Sequence, residues 1–208
     1  MEIFDAEYID GELEKIGSRL KKPTGIFLIG GCAMSFRKLK EATKDIDIVF
    51  RGNADYETFC DALFGAQYRV PFPIKSEHEK LEASAMYENK DNFHLDLFVK
   101  RVCGKMALSE SMIHRTEFYK KYGNLSVFLV AKEDIFLFKG LASEGRKRDL
   151  SDMRIIYPNL DWSMMLEELR SQKLSGELME HILRRFEEFR KTYDLDVPIM
   201  GKLKKLLQ

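Results

Sequence analysis

The sequence has little of the residues that mark disulfide-rich or zinc-binding proteins. Among its 208 residues there are only three cysteines, and no two of them form a CxxC pair. This count favours reduced thiols in a cytosolic protein over a disulfide framework. The four histidines are scattered along the chain, so the sequence shows no zinc-binding constellation.

Long apolar runs and a surplus of charge are also missing. No hydrophobic stretch approaches the roughly 20 residues that cross a bilayer, so no membrane partner is expected. The start, MEIFDAEYIDGELEKI, is acidic and helical in pattern, unlike a signal peptide, which predicts a cytoplasmic location. Basic and acidic residues number 34 each, which argues against an indiscriminate nucleic-acid binder.

Hydrophobic periodicity predicts a mixture of strands and helices in a globular chain that is 45% apolar. The predicted strands are Gly25–Ile29, Asp45–Phe50, Ala83–Tyr87, His94–Lys100, Arg115–Tyr122 and Ser126–Ala131. The predicted helices are Asp5–Leu20, Cys32–Lys40, Asp55–Gln67, Lys132–Ser143, Lys147–Ile156, Trp162–Gln172 and Glu177–Tyr193. We therefore expect an α+β fold in which helices flank a mixed sheet, with a C-terminal helical region after residue 157.

The most informative segment is FLIGGCAMSFRKLKEATKDIDIVF, from Phe27 to Phe50. Side chains alternate between the faces of a strand, so Asp45 and Asp47 share one face. Two adjacent carboxylates repel each other unless a cation lies between them, and a divalent metal in a phosphoryl-transfer site is the usual solution. The alternative is a solvated pair at the end of a strand.

A glycine pair precedes the aspartates by one short helix. Gly30 and Gly31 lie where a strand gives way to that helix, so their backbone N–H groups could approach a phosphate. A tight turn that needs glycine is the alternative. Ser35 lies early in the same helix, and its hydroxyl could join the phosphate site or be an ordinary polar helix residue.

This combination of motifs resembles the nucleotidyltransferase superfamily, the group related to DNA polymerase beta. The matching residues are Ile29-Gly30-Gly31 and Asp45-Ile46-Asp47-Ile48. Thr43, two residues before the first aspartate, is similar to the Thr or Ser of the branch that contains abortive-infection toxin nucleotidyltransferases.

The sequence departs from that branch at one position. The branch often has arginine four residues before the first aspartate, and here that residue is Glu41. Lys40 and Lys44 flank Glu41 and could supply the positive charge for the triphosphate. We count Lys44 among the expected nucleotide-binding residues.

The resemblance also implies a third carboxylate on a neighbouring strand, and Asp96 in FHLDLFVK is the candidate. Its role would be metal ligand and general base, and the alternative is an ordinary outward polar residue on an edge strand. A second similar segment, Ala131 to Met153, contains Lys139, Arg146 and the Asp149–Asp152 pair. Lys139 is expected to neutralise developing charge and Arg146 to bind the nucleotide, although a solvated helix with surface ion pairs would look the same.

Taken together, the resemblance implies a Mg²⁺-dependent nucleotidyltransferase with two metal ions, Mn²⁺ being an alternative metal. Residues 1–157 would form the catalytic domain and residues 158–208 a C-terminal helical region. An acceptor hydroxyl of RNA (a tRNA 3′ end, for instance), a protein or a small molecule would attack the α-phosphate of a nucleoside triphosphate. Two other readings remain open: a non-catalytic nucleotide-binding module of the same fold, or the toxin of a toxin–antitoxin pair with an antitoxin protein as its partner.

Local charge is compatible with such a site. Between Arg101 and Arg148 there are ten Lys and Arg residues against five Asp and Glu, although the total is balanced. A nucleotide or RNA site on one face would explain this distribution, and so would internal charge balance within the folded chain.

Overall fold

The computed structural model describes residues 3–71, 83–141 and 146–207. Its strands are β1 (Phe4–Asp5), β2 (Thr24–Ile29), β3 (Ala42–Thr43), β4 (Asp45–Phe50), β5 (Ala85–Glu88), β6 (His94–Val99), β7 (Arg101–Val102), β8 (Met106–Ala107), β9 (Glu117–Tyr122) and β10 (Leu125–Leu129). Its helices are α1 (Ala6–Gly17), α2 (Gly30–Phe36), α3 (Asn53–Gly65), α4 (Glu110–His114), α5 (Lys132–Gly140), α6 (Lys147–Ile156), α7 (Trp162–Ser171), α8 (Gly176–Tyr193) and α9 (Met200–Lys205).

Six of the strands form one mixed sheet in the order β5-β6-β4-β2-β10-β9. The pairs β4–β6 and β2–β10 are parallel, and the other neighbours are antiparallel. Because β6 lies between β4 and β5, it is an inner strand, so the alternative that Asp96 lies on an edge strand is wrong. The mixed sheet with flanking helices confirms the expected fold class.

Helix α1 covers one face of the sheet through an apolar stripe. Ile9, Leu13 and Ile16, spaced three and four residues apart, are fully buried. The helix ends at Gly17, where an added Cβ would lie 2.2 Å from the carbonyl oxygen of Tyr122. Glycine is therefore required at this position, because its missing side chain lets the helix approach β9.

The C-terminal helices pack on α5, which is buried almost throughout. Phe136 of α5 lies at the centre of an aromatic cluster, with ring centroids 5.4 to 5.6 Å from Phe186, Phe189 and Trp162. The region after residue 157 is helical within the described residues, as the sequence indicates. Its status as a separate domain stays a prediction.

A buried ion-pair network joins α4, α5 and α7. The guanidinium of Arg115 donates to Asp134 Oδ2 at 2.8 Å and to Glu168 Oε2 at 2.6 Å. Ser109 and Ser111 donate to the two oxygens of Glu168 at 2.8 and 2.7 Å. Burial acts to raise the pKa of Glu168, but hydrogen bonds from Gln172 and from these partners lower it overall. The network fixes the short α4 between the sheet and the helical region.

Several predicted boundaries are wrong. The first strand–helix junction has no intervening loop, because α2 begins at Gly30 and ends at Phe36. Helix α3 begins at Asn53, two residues before the predicted start at Asp55. Strand β9 begins at Glu117, after α4, and Arg115 belongs to the buried network. The hairpin β7–β8 and α4 have no counterpart in the sequence prediction.

The helix predicted at Lys132–Ser143 ends at Gly140 in the described part of the chain, and Ser143 lies outside the described residues. None of the helices seen in residues 3–71, 83–141 and 146–207 has the length and apolar character to cross a membrane.

Candidate active site

Three carboxylates from two neighbouring strands line one cavity. Asp45 and Asp47 alternate with the fully buried Ile46 and Ile48 on β4, which places both carboxylates on one face. Asp96 on β6 is the register partner of Asp47 and is itself fully buried. The cavity has a volume of about 110 Å³, which is room for a few water-sized groups.

The electrostatic consequence is clearest at Asp47. Burial raises its pKa well above the ordinary value, and the neighbouring carboxylates of Asp45 and Asp96 raise it further. Lys139 acts in the opposite direction but does not cancel these effects. The Asp47 carboxyl is therefore more stable when it is protonated, or when a cation lies beside it, than when it is ionised alone.

The glycine pair lies directly beside these carboxylates. Gly30 opens α2 with φ +62°, and a Cβ there would lie 2.3 Å from Asp47 Oδ2. A Cβ on Gly31 would lie 2.6 Å from the hydroxyl oxygen of Thr43. Both distances are shorter than real Cβ contacts, so the two glycines keep the space beside Asp47 and Thr43 open.

Positive side chains face the carboxylates across the cavity. Lys139 of α5 is buried, and its Nζ lies 3.1 Å from Asp149 Oδ1 and 2.7 Å from Asp152 Oδ2. Burial acts to lower the pKa of Lys139, but the two carboxylates outweigh it, so that the pKa is raised. Lys139 is consequently a fixed positive charge at neutral pH.

Two further cations share the same aspartates. Arg146 Nε lies 2.9 Å from Asp149 Oδ2, and Lys40 Nζ lies 2.8 Å from Asp152 Oδ1. Burial acts to raise the pKa of Asp152, but Lys139 and Lys40 lower it overall. The two acids of α6 therefore position three cations.

Lys139 and Arg146 reach the cavity from different elements. Lys139 lies on α5, which ends at Gly140, and Arg146 immediately precedes α6, which begins at Lys147. Gly145 itself lies outside the described residues. Both side chains nevertheless line the cavity.

Two of the expected nucleotide-binding residues do not reach the cavity. Ser35 is buried, and its hydroxyl donates to the carbonyl oxygen of Lys40 at 3.0 Å. Lys44 is half-exposed and is not among the described residues that line the cavity. Lys40 lines it instead, together with Arg148, which the sequence prediction did not single out as a binding residue.

The strand carboxylates and the basic groups come from different elements of the cavity wall, and Asp149 and Asp152 of α6 lie among the basic groups. The strands supply Asp45, Asp47 and Asp96, and the basic groups come from α5, α6 and the segments next to α2 and α6. In the parts of the chain that the structure describes, no three Asp, Glu, His or Cys side chains form a ready-made metal site. The strand carboxylates do have the hard oxygen donors that Mg²⁺ prefers.

Comparison with solved structures gives the fold a name. The crystal structure of ANT(2")-Ia in complex with adenylyl-2"-tobramycin matches with a TM-score of 0.51 and 14% sequence identity, over 90% of this chain and 98% of that chain. The chain has the nucleotidyltransferase fold. At this identity, the likeness extends to the fold alone.

Two other solved structures are similar to this chain with lower TM-scores. JHP933 from Helicobacter pylori has a TM-score of 0.44 and 13% identity, over 97% of this chain and 91% of that chain. The lincomycin-bound lincosamide antibiotic adenylyltransferase LnuA has a TM-score of 0.42 and 15% identity, over 65% and 87%. No protein-family model and no curated protein matches the sequence.

Proposed function

We propose that the protein is a nucleotidyltransferase that moves a nucleoside monophosphate from a nucleoside triphosphate to an acceptor hydroxyl and releases pyrophosphate. The observation that supports this proposal is the meeting of three strand carboxylates and four basic side chains in one cavity. Nucleotidyl transfer needs both, because the metal ions require carboxylate ligands and the phosphates require positive partners. The nucleotidyltransferase fold is consistent with this chemistry.

Charge balance in the cavity supports a role for divalent metal. Its acidic lining residues are Asp45, Asp47, Asp96, Asp149 and Asp152, and its basic ones are Lys40, Lys139, Arg146 and Arg148. If all five acids are ionised, they outnumber the four bases, and this excess of negative charge would repel a triphosphate that arrived without cations.

The strand carboxylates fit the metal that the resemblance implies. Asp45, Asp47 and Asp96 would hold Mg²⁺, as two ions, with Mn²⁺ as the alternative. The raised pKa of Asp47 fits this assignment, because a bound cation would offset the repulsion from Asp45 and Asp96. When bound, the metal would neutralise charge on the transferring phosphoryl group.

The remaining residues of the cavity bind, orient and move a proton. Gly30 and Gly31 leave room for phosphate oxygens beside the start of α2. Lys139 and Arg146 place positive charge where the pyrophosphate leaves, and Asp149 fixes both of them. Asp96 accepts the proton of the acceptor hydroxyl, for which its place next to Asp47 is suited.

The test is transfer of label from each α-labelled nucleoside triphosphate, with Mg²⁺, to three acceptor classes: RNA including tRNA, protein hydroxyls, and small molecules. We expect transfer to one class with release of pyrophosphate. Asp47→Asn and Asp96→Asn should each lower the rate at least about 100-fold. Asp61→Asn, at an exposed position on α3, is the matched control and should leave the rate unchanged.

The proposal fails if no acceptor is labelled while the protein is folded, or if Asp47→Asn transfers as fast as the wild type. An antitoxin partner remains a prediction of the sequence resemblance. Co-purification of a partner that suppresses transfer would support it.

A further inference from the structure

Lys40 lies outside every helix and strand, yet its ammonium group lies in the cavity. Its Nζ is 2.8 Å from Asp152 Oδ1 and 3.7 Å from the point that a Cβ on Gly31 would occupy. The side chain is only 17% exposed. The charge of Lys40 is therefore held between the glycine pair and the acids of α6.

The turn that carries Lys40 has a defined structure. Lys38 adopts φ +59°, its N–H donates to the Ser35 carbonyl at 2.9 Å, and the N–H of Leu39 donates to the Met34 carbonyl at 3.0 Å. This pair of bonds around a left-handed residue is the Schellman ending of a helix. Glycine is usual at the left-handed position, so Lys38 accepts some backbone strain there.

The end of α2 also holds the backbone of Lys40 directly. The hydroxyl of Ser35, buried in the helix, donates to the Lys40 carbonyl at 3.0 Å. The helix end and this bond together fix the direction in which the chain leaves α2. These bonds hold the backbone of Lys40 in one position, unlike that of a lysine on a flexible surface loop.

Asp152 links Lys40 to Lys139. Its Oδ1 binds Lys40 and its Oδ2 binds Lys139, at 2.8 and 2.7 Å. An ammonium group has three donors, so Lys40 can keep its bond to Asp152 and still donate to an anion in the cavity. Glu41 is exposed, and neither it nor Lys44 is among the described residues that line the cavity.

We propose that Lys40 binds the phosphate chain of the nucleotide and that Asp152 positions its ammonium group for this contact. This inference rests on the proposed function, since it assumes a nucleoside triphosphate in the cavity. Lys40 thereby takes the role that the sequence analysis gave to Lys44. It joins Lys139 as the second lysine oriented by the same carboxylate.

The test compares binding of α,β-methylene nucleoside triphosphates with binding of the corresponding monophosphates, both with Mg²⁺, by calorimetry. Lys40→Met should weaken triphosphate binding about 10- to 100-fold, the usual effect of losing a charge-assisted phosphate contact. Monophosphate binding should change less than about threefold, because fewer phosphate oxygens are present. Lys40→Arg should restore most of the triphosphate affinity, since it restores the charge.

Two further variants serve as comparisons: Lys44→Met tests the competing lysine, and Lys121→Met is the control. Lys121 is an exposed lysine on β9 and should bind both nucleotides like the wild type after substitution. If Lys44→Met loses triphosphate affinity while Lys40→Met does not, the assignment to Lys40 is wrong. Equal triphosphate affinity in Lys40→Met and the wild type also overturns it.

Failure of this inference can be told apart from failure of the proposed function. A wild-type protein that binds no triphosphate contradicts both, whereas a wild type that binds with an unaffected Lys40→Met contradicts only the role of Lys40. Circular dichroism of each variant establishes that it is folded. If Lys40→Met does not fold, Lys40→Gln, which retains a hydrogen-bond donor without charge, should show the same loss of the triphosphate preference.

Discussion

Asp47 and Asp96 are register partners on the adjacent parallel strands β4 and β6. Neighbouring strands lie about 4.8 Å apart, so the backbones that carry the two carboxylates cannot separate without breaking the sheet. The sheet therefore holds two mutually repelling carboxylates together at the place where the proposed reaction needs cations. This repulsion can be measured without knowing the acceptor.

Asp47→Asn should make the protein more stable in the absence of divalent metal. Because the folded-state pKa of Asp47 is raised, the stability that its protonated form provides is lost as pH rises from the unfolded value through the folded one. At pH 7 this carboxyl ionises more favourably in the unfolded chain than in the folded one, which destabilises the fold, and asparagine removes that effect. We expect the Tm in EDTA to rise by about 2–4 °C, which corresponds to roughly 1 kcal/mol.

Thermal unfolding in EDTA and in Mg²⁺ checks this expectation. Mg²⁺ should raise the Tm of the wild type and have little effect on Asp47→Asn. Asp61→Asn should follow the wild type in both buffers. A lower Tm for Asp47→Asn in EDTA would show that the carboxyl is not destabilising.

Gly30→Ala adds only one methyl group but should lower both the stability of the protein and its nucleotide binding. The new Cβ would meet Asp47 Oδ2 at 2.3 Å, and the backbone at φ +62° is unfavourable for alanine. We expect a loss of about 1–3 kcal/mol in unfolding free energy and of nucleotide binding. Gly11→Ala, in α1 with nothing within 4 Å of the added Cβ, should be neutral or stabilising. Urea unfolding of both variants provides the comparison, and equal stability of the two would contradict the crowding argument.

Arg115→Met should be strongly destabilising. The side chains of Asp134 and Glu168 are 0% and 1% exposed, and both would lose their cation. Breaking a buried ion pair on one side costs about 3–5 kcal/mol. The matched control is Arg51→Met, which breaks a pair with Glu110 in which both side chains are more than 60% exposed. Its effect in denaturant unfolding should be close to zero, since exposed pairs contribute little. Similar losses in both variants would mean that burial does not determine the value of these ion pairs.

Asp10→Asn should give a pH-dependent loss of stability. Burial acts to raise the pKa of Asp10, but hydrogen bonds from Lys120 and Tyr122 on β9 outweigh it and lower the pKa. A carboxyl with a lowered folded-state pKa contributes stability above its unfolded pKa, and that stability is lost as pH falls through the folded value. We expect Asp10→Asn to cost about 1 kcal/mol at pH 7, allowing for partial solvent screening, and less near pH 3. Unfolding at the two pH values tests this, and a constant difference would count against the ionised form.

The parts of the site that follow from the alternation of side chains along a strand can be predicted from the sequence. Alternation along β4 places Asp45 and Asp47 on one face, and that requires only the period of a strand. Asp96 follows from the same alternation, but its pairing with Asp47 depends on the register of strands that are distant in sequence. The family resemblance implied that Asp96 lies on a strand next to Asp47, and the structure shows this pairing.

The remaining parts depend on structure that leaves no clear trace in a single sequence. Lys40 reaches the cavity through a Schellman turn whose left-handed residue is Lys38, where the sequence signal would be glycine. Ser35 looks like a phosphate ligand by position, but its buried hydroxyl holds the turn. The sequence pattern assigns Arg115 to a strand, and its partners Asp134 and Glu168 lie on helices 19 and 53 residues away, so these ion pairs could not be foreseen.

Helix α2 joins two parts of the site through a fixed length. Its first residues are the glycine pair, and its last turn leads directly into the bend that carries Lys40. Each residue of a helix turns the chain by about 100°, so adding or deleting one would swing the bend to another side while β4 and β6 stayed in place. Homologues that use a lysine as this chain does should therefore keep the spacing between Gly30 and Lys40, even where the side chains between them differ.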